Sequence, residues 1–226
     1  MIIRLNKNLI ILLFPVFIYQ AAFSQRPQFS LASDASLLHS FKKGQRYWSI
    51  GQTVNFHFHF TAKDGVYAWL SYYSDGKFKN DLAAVAKQST TIPKQVNYRN
   101  SAQLRFKHIS IGWKKYLEGS FNAENEWSFY SYAGFGLMMG RIINNQSVAV
   151  DSGIYIVPVL SGKANFKRLT LDLGLGTEFP VGADVYLYFE ARALVPTTDY
   201  PSKYLFINRR APFTASANAG LRILFN

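Results

Sequence analysis

Hydrophobic and polar residues alternate along most of this chain with the two-residue period of a β-strand. The stretch 47–61 shows it most cleanly: Trp48, Ile50, Val54, Phe56, Phe58 and Phe60 share one face, and Ser49, Gly51, Thr53, Asn55, His57 and His59 share the other. Further on, Leu169, Leu171, Leu173 and Leu175 oppose Arg168, Thr170, Asp172 and Gly174. Val185, Leu187, Phe189 and Ala191 likewise oppose Asp184, Glu190 and Arg192. In the last stretch Ala215, Ala217, Ala219, Leu221, Ile223 and Phe225 face away from Thr214, Ser216, Asn218 and Arg222. The pattern predicts eight strands, at 28–39, 47–61, 65–74, 101–116, 126–139, 166–178, 183–195 and 212–225. The third carries apolar residues on both faces, and the fourth changes phase near Lys107-His108, where a β-bulge would supply the change.

The links between these strands alternate strictly. Those at 62–64, 117–125 and 179–182 are short, and those at 75–100, 140–165 and 196–211 are long. In an up-and-down barrel this parity puts every long link at one end, as extracellular loops, and every short link at the other, as periplasmic turns. A Greek-key sandwich has no reason to obey it. An aromatic belt is expected at the membrane interfaces. Phe29, Phe60, Trp113, Trp127, Phe129, Phe179 and Phe225 gather at the short-link end, and Phe41, Trp48 and Phe213 form a thinner outer belt. The fold class expected is all-β: a closed antiparallel up-and-down transmembrane β-barrel of about eight strands. A ten-strand count, with 154–160 as a membrane strand, is the alternative.

Composition adds location. Arg4 and Lys7 followed by an apolar run over 9–19 and by Ala22-Phe23-Ser24 predict a signal peptide at 1–24, leaving 25–226 as one exported barrel domain. The run is too short for a helical span, which needs roughly 20 apolar residues. With no cysteine in the chain, an exported fold of this size is held without disulfides and carries no lipidated cysteine.

The leader, the alternation of long loops with tight turns, and the closing Gly220-Leu221-Arg222-Ile223-Leu224-Phe225 resemble those of small eight-stranded outer-membrane barrels of the OmpA transmembrane and OmpX type. More narrowly, the chain resembles a Bacteroidota-style outer-membrane barrel of unassigned role. The resemblance spans 25–226 and implies a monomer in the outer membrane of a Gram-negative cell. It further implies that Gly220, Arg222 and Phe225 serve as the signal read by the barrel-assembly machinery, although Asn226 after the aromatic departs from that pattern. It implies architecture and no particular activity.

Chemistry is then sought in the lumen and at the outer end. Eight strands enclose room for side chains and little else. The set expected to point inward is Asp34, Asn55, His57, His59, Arg105, Glu126, Tyr130, Tyr132, Arg168, Asp172, Glu178, Glu190, Arg192 and Arg222. Such interleaved charges must pair when buried, which predicts a salt-bridged plug; a narrow gated channel for ions or small solutes is the alternative. The chain has 25 basic and 13 acidic residues, so removing Arg4 and Lys7 leaves a net charge of +10. The inferred outer loops hold most of the excess, with Lys42, Lys43, Arg46, Lys203, Arg209 and Arg210 prominent. The partners this suggests are outer-membrane lipid and lipopolysaccharide phosphates, or another anionic surface ligand. Nucleic acid fits neither the motifs nor the compartment. His108-Ile109-Ser110 resembles the His-x-Ser of lipid A deacylases, which would imply a lipid-modifying hydrolase, but Ile111-Gly112-Trp113 departs from the residues expected next. His57 and His59 share a face, yet two histidines without cysteine point to hydrogen bonding before metal. No cofactor or metal site is expected, and the function expected is non-enzymatic, exerted through basic extracellular loops in surface binding or envelope stabilisation.

Overall fold

The computed structural model describes residues 28–197, 204 and 213–225. Among them are β1 (Gln28–Ser40), β2 (Tyr47–His59), β3 (Asp64–Ala86), β4 (Gln95–Glu118), β5 (Ser128–Gln146), β6 (Tyr155–Ile156), β7 (Gly162–Pro180), β8 (Val185–Pro196) and β9 (Thr214–Phe225). All but β6 form a ring of antiparallel neighbours that closes where β1 pairs with β9. The expected eight-stranded up-and-down barrel is therefore the fold.

The ring closes with a stagger. Followed through β2, β3, β4 and β5, the register leads from Asp34 by Thr53, Ser71, His108 and Met138 to Arg168 on β7. Followed the other way, through Gly220 and Tyr188, it reaches Glu178 on the same strand, ten residues lower. A shear of this size inclines the strands by about 40° to the barrel axis.

Alternation fixes which side chains face in. Along β4, Tyr98, Asn100, Ala102, Leu104, Phe106, His108, Ser110, Lys114 and Tyr116 are buried and the residues between them are exposed or nearly so. That phase never changes, so the bulge expected near Lys107 is absent there. It lies instead on β3, between Tyr73 and Gly76, where Asp75 adopts φ 60° and switches the inward set from odd to even positions. A second irregularity falls between Tyr116 and Glu118.

The long link expected at 75–100 is mostly strand. β3 and β4 stay paired up to Val85 and Gln95, far above the apolar wall, and only 87–94 connects them. Residues 154–160 supply no membrane strand: β6 pairs Tyr155 and Ile156 with Ala86 and Val85 at the tip of this hairpin.

At the inner end Phe29 stacks on Phe225 at 4.8 Å and Phe60 on Trp113 at 5.6 Å, and the Trp113 indole donates to Asp64 at 3.1 Å. At the outer end Phe41 meets Phe213 at 5.7 Å, and His39 lies between Phe41 and Trp48. Between these belts the wall is aliphatic and aromatic, with Ile50, Phe56, Ile111, Phe135 and Leu175 more than half exposed. On β4 the apolar wall runs between Lys107 and Lys115; at ~3.4 Å per residue and a tilt of about 40° this spans roughly 21 Å, close to the ~25 Å band of outer-membrane barrels.

Candidate functional site

The interior is layered. In the inner third, Glu178 accepts hydrogen bonds from Lys114 at 3.1 Å, from Arg222 at 2.5 Å and from the Tyr116 hydroxyl. The turn after β4 folds back beneath these groups. Its Phe121 is buried, stacks on the His59 ring at 4.2 Å, and offers its carbonyl to Arg222 at 2.6 Å. A turn that sequence patterning treats as a plain connection is thus the inner stopper of the barrel.

In the middle third, Asp34 accepts from Ser36 at 2.7 Å, Asn55 at 3.1 Å, Tyr188 at 2.9 Å and Arg192 at 2.9 Å. Arg192 also donates to Glu190 at 2.8 Å, which Tyr130 on β5 reaches over Gly176 of β7 at 2.8 Å. Cations rest on ring faces as well as on carboxylates: Arg192 sits 4.5 Å from the Trp69 ring, Lys114 3.5 Å from Tyr130 and Arg222 4.0 Å from Tyr186. Tyr130 and Tyr132 are seated by glycine. Opposite them on β7, a Cβ on Gly176 or Gly174 would lie 2.5 Å or 2.1 Å from the tyrosine ring, so the Gly174-Leu175-Gly176 motif clears room for two lumenal aromatics.

The outer third inverts the usual rule of polar lumen and apolar wall. Leu38, Tyr47, Tyr73, Phe78, Leu104, Phe106, Met138, Ile142, Phe166 and Leu194 pack together and close the barrel from above. On β3, β4, β5 and β7 the wall around them is cationic. Arg105, expected inside, therefore points outward, because the inward neighbours Leu104 and Phe106 belong to this apolar plug. Glu126 is also outside the lumen, exposed in the turn at 119–127. Of the expected charge network, Asp34, Arg168, Asp172, Glu190, Arg192 and Arg222 are buried inside. Lys114, which was not expected there, completes it as the fourth cation.

His108 and Ser110 share the inward face but engage different groups. The His108 Nδ1 accepts from the Trp69 indole at 3.2 Å, which leaves its proton on Nε2, facing Thr170 at 2.9 Å and Asp172 at 3.3 Å. The Ser110 hydroxyl donates to the Phe135 carbonyl at 3.3 Å. An imidazole so protonated and so turned cannot take the serine's proton, and both groups are buried beneath the apolar plug. His59 bonds to Ser30 at 2.8 Å, and among the described residues no three metal-ligating side chains cluster.

Charge is sorted by level. Among the described residues the lumen holds four acids (Asp34, Asp172, Glu178, Glu190) and four bases (Lys114, Arg168, Arg192, Arg222). The inner end carries Lys63 and Lys115 against Asp64, Glu118, Glu124, Glu126 and Asp184. The outer end carries Lys42, Lys43, Arg46, Lys77, Lys79, Lys87, Lys94, Arg99, Arg105, Lys107, Arg141, Lys163 and Lys167 against Asp75, Asp81 and Asp151. Two of those acids are already spoken for, Asp75 by Lys77 at 3.4 Å and Asp81 by Arg99 at 2.7 Å. Lys203, Arg209 and Arg210 lie outside the described residues, as do the segment 1–24 where a leader is expected, Asn226 and most of the link at 196–211. In the closing strand Gly220 lies against the Ser33–Asp34 backbone, Arg222 enters the lumen and Phe225 joins the inner belt.

No protein-family model matches the chain, and no curated protein matches it. Solved structures do. It is similar to Neisserial surface protein A at 10% identity, with a TM-score of 0.57 over 89% of this chain and 100% of that one. It is equally similar to a major outer membrane protein from Thermus thermophilus, at 10% identity and a TM-score of 0.56 over 89% of this chain and 100% of that one. At this identity the likeness is one of fold, and the fold is that of the small outer-membrane barrels.

Proposed function

We propose that the chain is a monomeric, non-enzymatic barrel of the outer membrane that conducts no solute and acts through its cationic outer end, in surface binding or in stabilising the envelope. The observation that carries this reading is the sorting of charge by level: among the described residues the lumen is balanced and stoppered, while the excess of cations over acids stands at one end. A path for solutes would need polar space along the axis, and here Phe121 and the apolar plug occupy both mouths. A basic surface of this density attracts anionic polymers and phosphate-bearing head groups, with a strength that falls as salt screens it.

The test combines location, conductance and binding. Detergent-extracted protein should run as a compact band that shifts on boiling, and planar bilayers holding it should stay electrically silent. Cells displaying it should retain labelled dextran sulfate but not neutral dextran, and should release it in high salt. Release of the protein without detergent, or steady single-channel currents, would refute the reading.

A further inference from the structure

The cations of the outer end are not all on loops. Arg105, Lys107, Arg141 and Lys167 project from the barrel wall itself, on β4, β5 and β7, with their neighbours fixed by strand register. Arg105 stands directly opposite Arg141, and Lys107 and Lys167 flank Met139 on either side. Tyr72, beside Lys107, and Asn165, beside Arg141, complete an open groove on the outer surface. None of the four cations has a carboxylate partner among the described residues.

Two features make this more than a solvated face. Like charges placed directly opposite across a strand pair destabilise it, so the Arg105–Arg141 pair is a position where an anion is wanted. The second is its height. Immediately below lie Ile109, Leu137 and Leu169, the start of the apolar wall. One residue pair along a strand at this tilt rises about 5 Å, which puts Arg105 and Arg141 in the layer of lipid head groups. An acyl chain lying on the aliphatic wall would carry its head group into the cations.

We infer that the outer wall of β4, β5 and β7 is a binding site for the phosphorylated head group of lipopolysaccharide, with Arg105 and Arg141 as its bidentate clamp and Lys107 and Lys167 as flanking charges. Arginine suits the clamp because its planar fork matches phosphate oxygens. The inference rests on the outer-membrane location proposed above, and it assigns the partner to the wall and not to the loop tips.

The full chain refolded in detergent micelles is titrated with diphosphorylated lipid A, with its dephosphorylated form and with phosphatidylglycerol. Three proteins are compared: the parent, Arg105→Gln/Arg141→Gln, and Lys87→Gln/Lys94→Gln at the hairpin tip, each first checked for the heat-shifted band of a folded barrel. The parent and the tip variant should bind diphosphorylated lipid A about tenfold or more tighter than either other lipid, and the wall variant should lose that margin. Equal binding by wall variant and parent, a margin lost in the tip variant instead, or equal affinity for phosphatidylglycerol would each overturn the inference. Failure of the location is read separately, as parent protein released from cells without detergent.

Discussion

Replacing Arg192 with methionine isolates what the lumenal network contributes. Methionine keeps the apolar stem of the side chain but removes the cation that, among the described residues, Asp34 and Glu190 share; their side chains are at most 4% exposed. Each carboxylate keeps neutral donors, Ser36, Asn55 and Tyr188 for Asp34 and Tyr130 for Glu190, so hydrogen bonding is only thinned. What is left is uncompensated buried charge, and breaking a buried pair in this way costs about 3–5 kcal/mol. With a urea dependence of about 2 kcal/mol per molar, the unfolding midpoint in micelles should fall by roughly 2 M. Tryptophan fluorescence and the heat-shifted gel band should report the same midpoint, because the ring closes or opens as a unit. The triple variant Asp34→Asn/Glu190→Gln/Arg192→Met removes the surplus charge along with the cation, and should recover to within about 1 kcal/mol of the parent. If Arg192→Met unfolds at the parent's midpoint, or if the triple variant stays as weak as the single one, the network is not an electrostatic plug.

Other consequences can be checked with the same materials. Phe121→Ala removes the inner stopper and should destabilise the barrel by about 3 kcal/mol, the lower end of the range for a buried aromatic, read as an earlier heat shift. Gly174→Val places a side chain where the Tyr132 ring lies and should cost about 1–3 kcal/mol by overpacking, with Gly174→Ala intermediate. At the hairpin, hydrogen bonding to the Arg99 guanidinium holds the Asp81 carboxyl below its usual range. A lowered carboxylate stabilises the fold above the ordinary aspartate value and loses that contribution as pH falls through the lowered one. Amide exchange near Asp81 and Arg99 should therefore quicken at acid pH, relative to Asp81→Asn, and the difference should shrink in high salt.

The barrel was legible in the sequence because its governing signals are local and repeated. Alternation specifies which residues share a face, and the parity of links specifies how strands are ordered; neither needs knowledge of distant contacts. Trp48 through Phe58 and Leu169 through Leu175 face outward as their spacing requires. What was not legible depends on where the membrane stops. The rule that charge goes inside and hydrocarbon outside sends Arg105 to the lumen, and that rule holds only within the bilayer. Above it, the same strands obey the rule of a water-soluble barrel, with Leu104 and Phe106 inside and Arg105 out. The apparent phase change near Lys107-His108 is this crossing of solvents, not a backbone irregularity. Lys114 was missed for a related reason: Lys115 beside it is equally charged, and only the unbroken register of β4 decides which of the two enters. Phe121 carries no periodic signal at all, since its burial is set by a turn folding under the ring.

The hairpin that rises above the membrane has a consequence for how such a surface can change over time. Within the ring every strand is held on both sides, and a residue inserted into one must be absorbed by a neighbour or by a bulge like that at Asp75. Past the rim, the β3–β4 ladder runs on to the link at 87–94, bordered there only by the two-residue β6 among the described residues. Two residues added to each strand there would lift the tip by about 7 Å and leave every side chain below on its present face, whereas one added to each would turn the new tip inside out. The reach of the outer end can therefore be reset in whole steps, without renegotiating the closure of the barrel or the packing of its interior.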